Sequence, residues 1–381
     1  MKEWNKYLKR ELNNIKINFV DFLSKNTTFA LAKSLGVIFM HNIHFKMRGR
    51  RRQFFFIFVF CLILSGCKKE YSYYRTSGEI FKTYYHIQYK YNRVLDKEIQ
   101  DCLQKFDLSL NPFNKESIIY KVNNNTPVEV DDWFINVFNK AMEVAEISGG
   151  TYDVTCAPFV NLWGFGFQKI DQGTDIQHTI DSLKTFVGYQ KVHLEGRKVI
   201  KDDPRLELDY ASIAKGYACD VIANLLESYG ITDYVVEIGG EIHAKGKNPS
   251  GRCWRVEISK PVDDESGQIN ERMEIIELCD KSLATSGNYR NYYIKDGKKY
   301  AHTLNALTGY PAESNILSAS VVCSDCITAD AFATVFMTKD LDDAVALGDK
   351  IQGLDYLFIY ADEDGNLLEK RSINMDKYVI N

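Results

Sequence analysis

"SIAKGYACDVIANLLESYG", residues 212–230, followed by "YVVEI", residues 234–238, sets the class of this fold. The first run carries apolar residues at helical spacing and stops at Gly230, and the second is a short β run. Further β runs follow with no helix between them: "CWRVEIS" (253–259), "MEIIEL" (273–278) and "ILSASVVC" (316–323). The late pair "DYLFIYA" (355–361) and "NLLEKRSI" (366–373) is of the same kind. Upstream, Leu95, Ile99, Cys102, Leu103 and Phe106 recur at helical spacing, as do Phe134, Val137, Phe138, Met142 and Ala145 ahead of a stop at Gly149. "DCITADAFATVFMT" (325–338) and "LDDAVALGDK" (341–350) predict two more helices, and "EIFKTYYHIQYKY" (79–91) a strand or hairpin arm. Strict βαβ alternation is missing, so the pattern predicts an α+β fold with a mixed, largely antiparallel sheet and packed helices. Neither repeats nor low-complexity linkers interrupt the chain after residue 75.

Composition is that of an ordinary globular protein: 45% hydrophobic, 13% aromatic, net charge −4. No basic excess points to nucleic acid. Residues 47–67, "MRGRRRQFFFIFVFCLILSGC", have the parts of a secretory signal: four arginines, an apolar run of roughly eleven residues and small residues before a cysteine. That run is too short to span a bilayer comfortably. Its Leu-Ser-Gly-Cys ending resembles a bacterial lipobox, which implies lipidation of Cys67 and an anchor on the outer side of the inner membrane. Met47 directly precedes the arginines, so residues 1–46 read as a mis-assigned extension and residues 68–75 as a short tether to a domain spanning 76–381. The seven cysteines beyond Cys67 are odd in number and scattered, which does not suggest a disulfide framework. Cys323 and Cys326 have CxxC spacing but no partner pair, and read as small buried residues.

Chemistry-bearing residues fall in separate blocks. In "TADAFAT" (328–334), Asp330 and Thr334 are four apart on one helix face, a pairing that suits a hard cation such as Mg²⁺ and equally suits a helix cap. Lys215 lies early in a helix, where free N–H groups and a cation suit a phosphate. Gly239 and Gly240 interrupt a strand pattern, which implies close approach of a backbone or ligand. No Rossmann or P-loop glycine pattern occurs, so any nucleotide is held in another way.

Taken in order, "LSLNPFNKESIIYKVN" (108–123), "GGTYDVTCAPFVNLWGFG" (149–166), "LDYASIAKGYACD" (208–220), "VEIGGEIHAKG" (236–246), "LATSGNY" (283–289), "HTLNALTGYP" (302–311) and "CITADAFAT" (326–334) resemble the ApbE family of FAD:protein FMN transferases. The resemblance covers roughly residues 76–365 and implies a single catalytic domain of the family's T-fold-related type. It implies transfer of FMN from FAD to a Ser or Thr hydroxyl of an acceptor protein, with release of AMP. Asp330 and Thr334 would then be Mg²⁺ ligands, with Ser212 offering a backbone carbonyl. Lys215 would face the diphosphate, and Phe81, Asn123, Thr151, Tyr152 and Asp153 would belong to the FAD pocket. His302 would be the general base. Implied partners are exported flavoproteins, including FMN-bearing subunits of membrane electron-transfer complexes, and the lipid membrane through Cys67. The implied location is lipid-anchored and facing the periplasm.

The chain departs from the family pattern in places. His302-Thr303-Leu304-Asn305-Ala306 stands where the family has His-Ile-Ile-Asp-Pro, Lys82 where it has glycine, and Phe81 where it often has methionine. Two other functions use the same blocks: a lipoprotein that binds FAD without transferring it, and a pyrophosphatase that splits FAD into FMN and AMP.

Overall fold

The computed structural model describes residues 71–166, 175–259, 272–288, 292–295, 298–362 and 364–380. Residues 1–46, the signal-like segment and Cys67 lie outside them. The chain opens with β1 (Ser72–Ile80) and β2 (Thr83–Tyr91), paired antiparallel from Ser72↔Tyr91 to Ile80↔Thr83. Residues 72–75, expected in a tether, are the first residues of the strand at the sheet edge. The two-residue turn is Phe81-Lys82, both with positive φ (52° and 60°), which matches the twist of a tight hairpin. Neither residue is glycine. Contacts offset that strain: the Phe81 ring packs on Phe106 at 5.5 Å between centroids, and Lys82 Nζ lies 3.7 Å over the Phe113 ring.

These strands begin an eight-stranded sheet completed by β5 (Tyr234–Ile238), β6 (Glu241–Lys245), β9 (Lys281–Gly287), β14 (Ile316–Cys323), β15 (Asp355–Ala361) and β16 (Leu367–Arg371). The order is β1-β2-β5-β6-β9-β14-β15-β16, and each pairing is antiparallel. The α+β, antiparallel expectation holds. β14 is buried along almost its whole length because both faces of the central sheet are covered, which is why its sequence is near-continuously small and apolar.

One face carries helices. α1 (Asp96–Leu110), α3 (Asp132–Ile147), α6 (Ala214–Ser228) and α7 (Cys326–Met337) share a single apolar cluster with β2, β5 and β14. α2 (Ile118–Asn123), through Ile119 and Val122, and α8 (Leu341–Gly348), through Ala344, join the same cluster. The other face is covered by the hairpin of β7 (Trp254–Ser259) and β8 (Arg272–Leu278), through Trp254, Ile258, Ile276 and Leu278. A disulfide, Cys253–Cys279, closes the open end of that hairpin. One bridge is thus present where the scattered cysteines suggested no disulfide framework. The pair is 26 residues apart in sequence and meets only once the register Trp254↔Leu278 is set. Cys323 and Cys326 are free, buried thiols as expected.

A third apolar cluster joins α4 (Ala157–Leu162) and α5 (Ile176–Lys184), neither of which the sequence periodicity revealed, to the small hairpin of β12 (Leu304–Asn305) and β13 (Tyr310–Pro311). Trp163 Nε1 donates to Gly309 O at 2.8 Å and pins that hairpin. Two further antiparallel pairs lie outside the eight-stranded sheet: β3 (Val192–Glu195) with β4 (Lys198–Lys201), and β10 (Tyr292–Lys295) with β11 (Lys298–Ala301). Among the described residues no helix is long and apolar enough to cross a membrane.

Candidate active site

The site begins where α6 crosses α7. A Cβ on Gly216 would stand 2.3 Å from Cys326 O and 2.6 Å from Asp330 Cβ, so only glycine lets the two backbones approach this closely. At the crossing each helix caps the other. Asp220 of α6 accepts hydrogen bonds from Cys326 N and Ile327 N, both 2.9 Å, at the start of α7. Asp330 of α7 accepts one from Gly216 N, 2.8 Å, in the first turn of α6. Residue Ile213 precedes α6 and offers no side-chain cap, so Asp330 supplies what that helix start lacks. The cap of α7 itself is Asp325, which accepts from Thr328 N at 3.0 Å. Asp330 is therefore a cap, but of the neighbouring helix, and this fixes one oxygen while leaving the other toward the pocket.

Lys215, the second residue of α6, stands beside that second oxygen. Its Nζ lies 3.8 Å from Asp330 Oδ1 and 2.6 Å from Glu241 Oε1. The stem runs across Gly239, where a Cβ would come within 3.1 Å of Lys215 Cδ. Gly239 and Gly240, with φ of 66° and 101°, form the turn between β5 and β6 rather than interrupting a strand. Burial pushes the Glu241 carboxyl up, to about 7, against the pull of Lys215. Burial likewise raises Asp330, with Lys215 and the Gly216 N–H opposing it. For Lys215 burial works against the charge, but Asp330 and Glu241 outweigh it and hold the ammonium above the ordinary lysine range.

These groups open onto a cavity of about 820 Å³. His302, Tyr152, Asp153, Ser212 and Thr334 line it with them. Thr334 Oγ1 lies 3.2 Å from Ser286 Oγ of β9, and Ser212 Oγ donates to Tyr152 OH at 3.2 Å. Asp153 shapes its own loop: it accepts from Thr155 N and Thr155 Oγ1, both 2.7 Å, and from Tyr189 N at 2.6 Å. The imidazole of His302 meets the Phe165 ring edge-on at 6.3 Å between centroids. Six carboxylates line the cavity (Asp153, Asp209, Glu237, Glu241, Glu257 and Asp330), against the cations Lys215 and Arg255. A diphosphate entering here meets a net negative wall unless a cation accompanies it.

Phe81, Asn123 and Thr151 are not among the lining residues. The Asn123 amide donates to Leu208 O at 2.9 Å and accepts from Leu208 N at 2.8 Å, which holds the segment leading to Ser212. Thr151 ties loops together: its carbonyl accepts from Ala306 N at 3.1 Å, and its hydroxyl accepts from Thr338 Oγ1 at 3.0 Å beyond the end of α7. Glu241 and Ser286 escaped the sequence reading. The one available signal was a carboxylate directly after Gly-Gly at the start of a strand.

Comparison with known proteins matches residues 81–358 to the model of the ApbE family. The FAD:protein FMN transferase of Vibrio cholerae is 35% identical over 314 residues, covering 80% of this chain and 92% of that protein. That of Haemophilus influenzae is 32% identical, covering 79% and 90%. The structure of the flavin transferase ApbE from Vibrio cholerae superposes with a TM-score of 0.72 at 32% identity, over 81% of this chain and all of that one. The apo flavinyl transferase ApbE of Pseudomonas stutzeri gives 0.70 at 26% identity, covering 81% and 97%.

Proposed function

The chain belongs to the ApbE family, and on that premise we propose that it is an FAD:protein FMN transferase acting on a Ser or Thr hydroxyl of an exported flavoprotein. The observation that carries this reading is convergence: His302, Lys215 and the Asp330–Thr334 face of α7 come from three distant segments and line one cavity.

Among the described residues no cluster of three or more His, Cys, Asp or Glu suits a metal. The donors at this site are of another kind and suit a hard cation: one carboxylate oxygen of Asp330, the Thr334 hydroxyl and the Ser212 carbonyl, in a pocket rich in negative charge. Such a set leaves room for water and phosphate oxygens, as Mg²⁺ requires. When bound, the ion would neutralise diphosphate charge and polarise the phosphoryl oxygens. Lys215, which lines the same cavity, would face that diphosphate. The acceptor oxygen attacks the phosphorus on the FMN side, the bond to the AMP phosphate breaks, and AMP leaves with the bridging oxygen. His302 takes the proton of the attacking hydroxyl, a task suited to imidazole.

The test is incubation of the protein with FAD, Mg²⁺ and an exported acceptor, followed by intact mass of the acceptor. The expected result is an FMN adduct and one AMP per adduct. Asp330→Ala should lower the rate by at least ~10²-fold, and His302→Asn should remove transfer while FAD affinity stays within a few-fold. FMN and AMP released with no adduct would favour the pyrophosphatase reading, and FAD retained intact would favour simple binding.

We further place the enzyme on a lipid anchor at Cys67, facing the periplasm and serving FMN-bearing subunits of membrane electron-transfer complexes. The Cys253–Cys279 bridge supports an oxidising compartment. Cys67→Ser should move the protein from the membrane to the soluble fraction, and a variant still wholly membrane-bound would refute the anchor.

A further inference from the structure

Glu241 enters the cavity from the first position of β6 with a side chain only 5% exposed. Oε1 holds the Lys215 ammonium at 2.6 Å, while Oε2 is buried and meets no hydrogen-bond donor. The same ammonium stands 3.8 Å from Asp330 Oδ1. Two buried carboxylates thus share one cation, and the shorter contact belongs to Glu241. A buried oxygen without a donor is costly, so its retention in the site calls for an explanation. A lysine facing Asp330 alone would close on it, since opposite charges attract strongly where water is scarce. Its ammonium would then cover the oxygen that Asp330 presents to the cavity.

We propose that Glu241 is a positioning residue: it draws the Lys215 ammonium off Asp330 Oδ1, so that a divalent cation reaches an unobstructed Asp330. This rests on the reading of Asp330 as a ligand for such a cation. Neutralising Glu241 has two effects of the same sign. The site loses the charge that attracts the cation, and the ammonium becomes its competitor.

The experiment is Mg²⁺ titration of the full chain by calorimetry and by the Mg²⁺-dependent rise in melting temperature, with neither FAD nor acceptor present. Glu241→Gln should raise the Mg²⁺ concentration for half-saturation about tenfold. Combining Glu241→Gln with Lys215→Met removes the competing ammonium and restores the net charge, so the midpoint should return to within about threefold of wild type. Glu241→Asp, which keeps the charge with a shorter reach and guards against misfolding of the Gln variant, should shift the midpoint less than Gln does. A merely structural role predicts a fall in melting temperature and no recovery in the double variant. An unshifted midpoint in Glu241→Gln, equal shifts for Asp and Gln, or no recovery in the double variant would each overturn the proposal. If Asp330→Ala abolishes the Mg²⁺ response while Glu241→Gln leaves it alone, the cation reading stands and this one falls. If wild type shows no Mg²⁺ response, both fall.

Discussion

Gly216 is the residue on which the site's geometry turns. Its conformation is ordinary helix, so the requirement is one of space: the α7 backbone and Asp330 lie where a methyl would go. Alanine at this position gains about 1 kcal/mol of helix propensity, but overpacking costs about 1–3 kcal/mol. Contact with backbone rather than with a flexible side-chain tip puts this case toward the upper end. Gly216→Ala should lower the melting temperature by a few degrees and cut FMN transfer at least ~10-fold, because moving α7 displaces Asp330. Wild-type melting with wild-type transfer would show that the helices can part without consequence. Asn305 and Ala306, which depart from the family pattern, also have a physical account. Asn305 Oδ1 accepts from Leu307 N at 3.0 Å, a turn that aspartate makes as well. Ala306 N donates to Thr151 O, a bond that proline cannot form. The loop after His302 therefore keeps its turn and gains a tie to the Thr151 loop.

At the scale of elements, the β7–β8 hairpin joins stability to binding. Residues 255–259 of β7 line the cavity, and Trp254, Ile258, Ile276 and Leu278 cover the sheet. The Cys253–Cys279 bridge closes its open end. Loop closure over 26 residues is worth about 3.5 kcal/mol in the chain-entropy model. Strand pairing already restrains the same loop, so the realised gain is smaller. Reduction, or Cys253→Ala with Cys279→Ala, should lower the melting temperature by several degrees and weaken FAD binding a few-fold. Identical melts with and without reductant would show that strand pairing alone holds the hairpin. The missing alternation of helix and strand was readable as an antiparallel sheet. The position of the β1–β2 turn was not, because Phe81-Lys82 carries no glycine or asparagine to mark it.

The whole molecule surrounds its cavity with buried acids, and this sets a pH dependence. Burial raises Asp153, Asp209 and Glu241 above their ordinary values. A carboxyl that holds its proton more tightly when folded stabilises the fold at low pH and loses that contribution as pH rises. For Glu241 the window runs from 4.5 to about 7. Wild type should therefore lose stability relative to Glu241→Gln as pH climbs through this window, measured by paired melts at pH 5 and pH 8. A difference that does not change with pH would show that Glu241 titrates alike in both states. The sequence by itself determined the helices of the core, the strands β2, β5, β7, β8, β14, β15 and β16, the fold class and the blocks that hold His302, Lys215, Asp330 and Thr334. Those are local patterns, since periodicity, stop residues and short motifs report on neighbours within a turn or a strand. Only the tertiary structure decided that Asp330 and Asp220 each cap the other's helix, that Glu241 shares Lys215 with Asp330, and that Cys253 meets Cys279. These contacts join residues 26 to 114 positions apart. They exist because packing α6 and α7 on the sheet, and setting one hairpin register, brings together groups whose local surroundings carry no trace of each other.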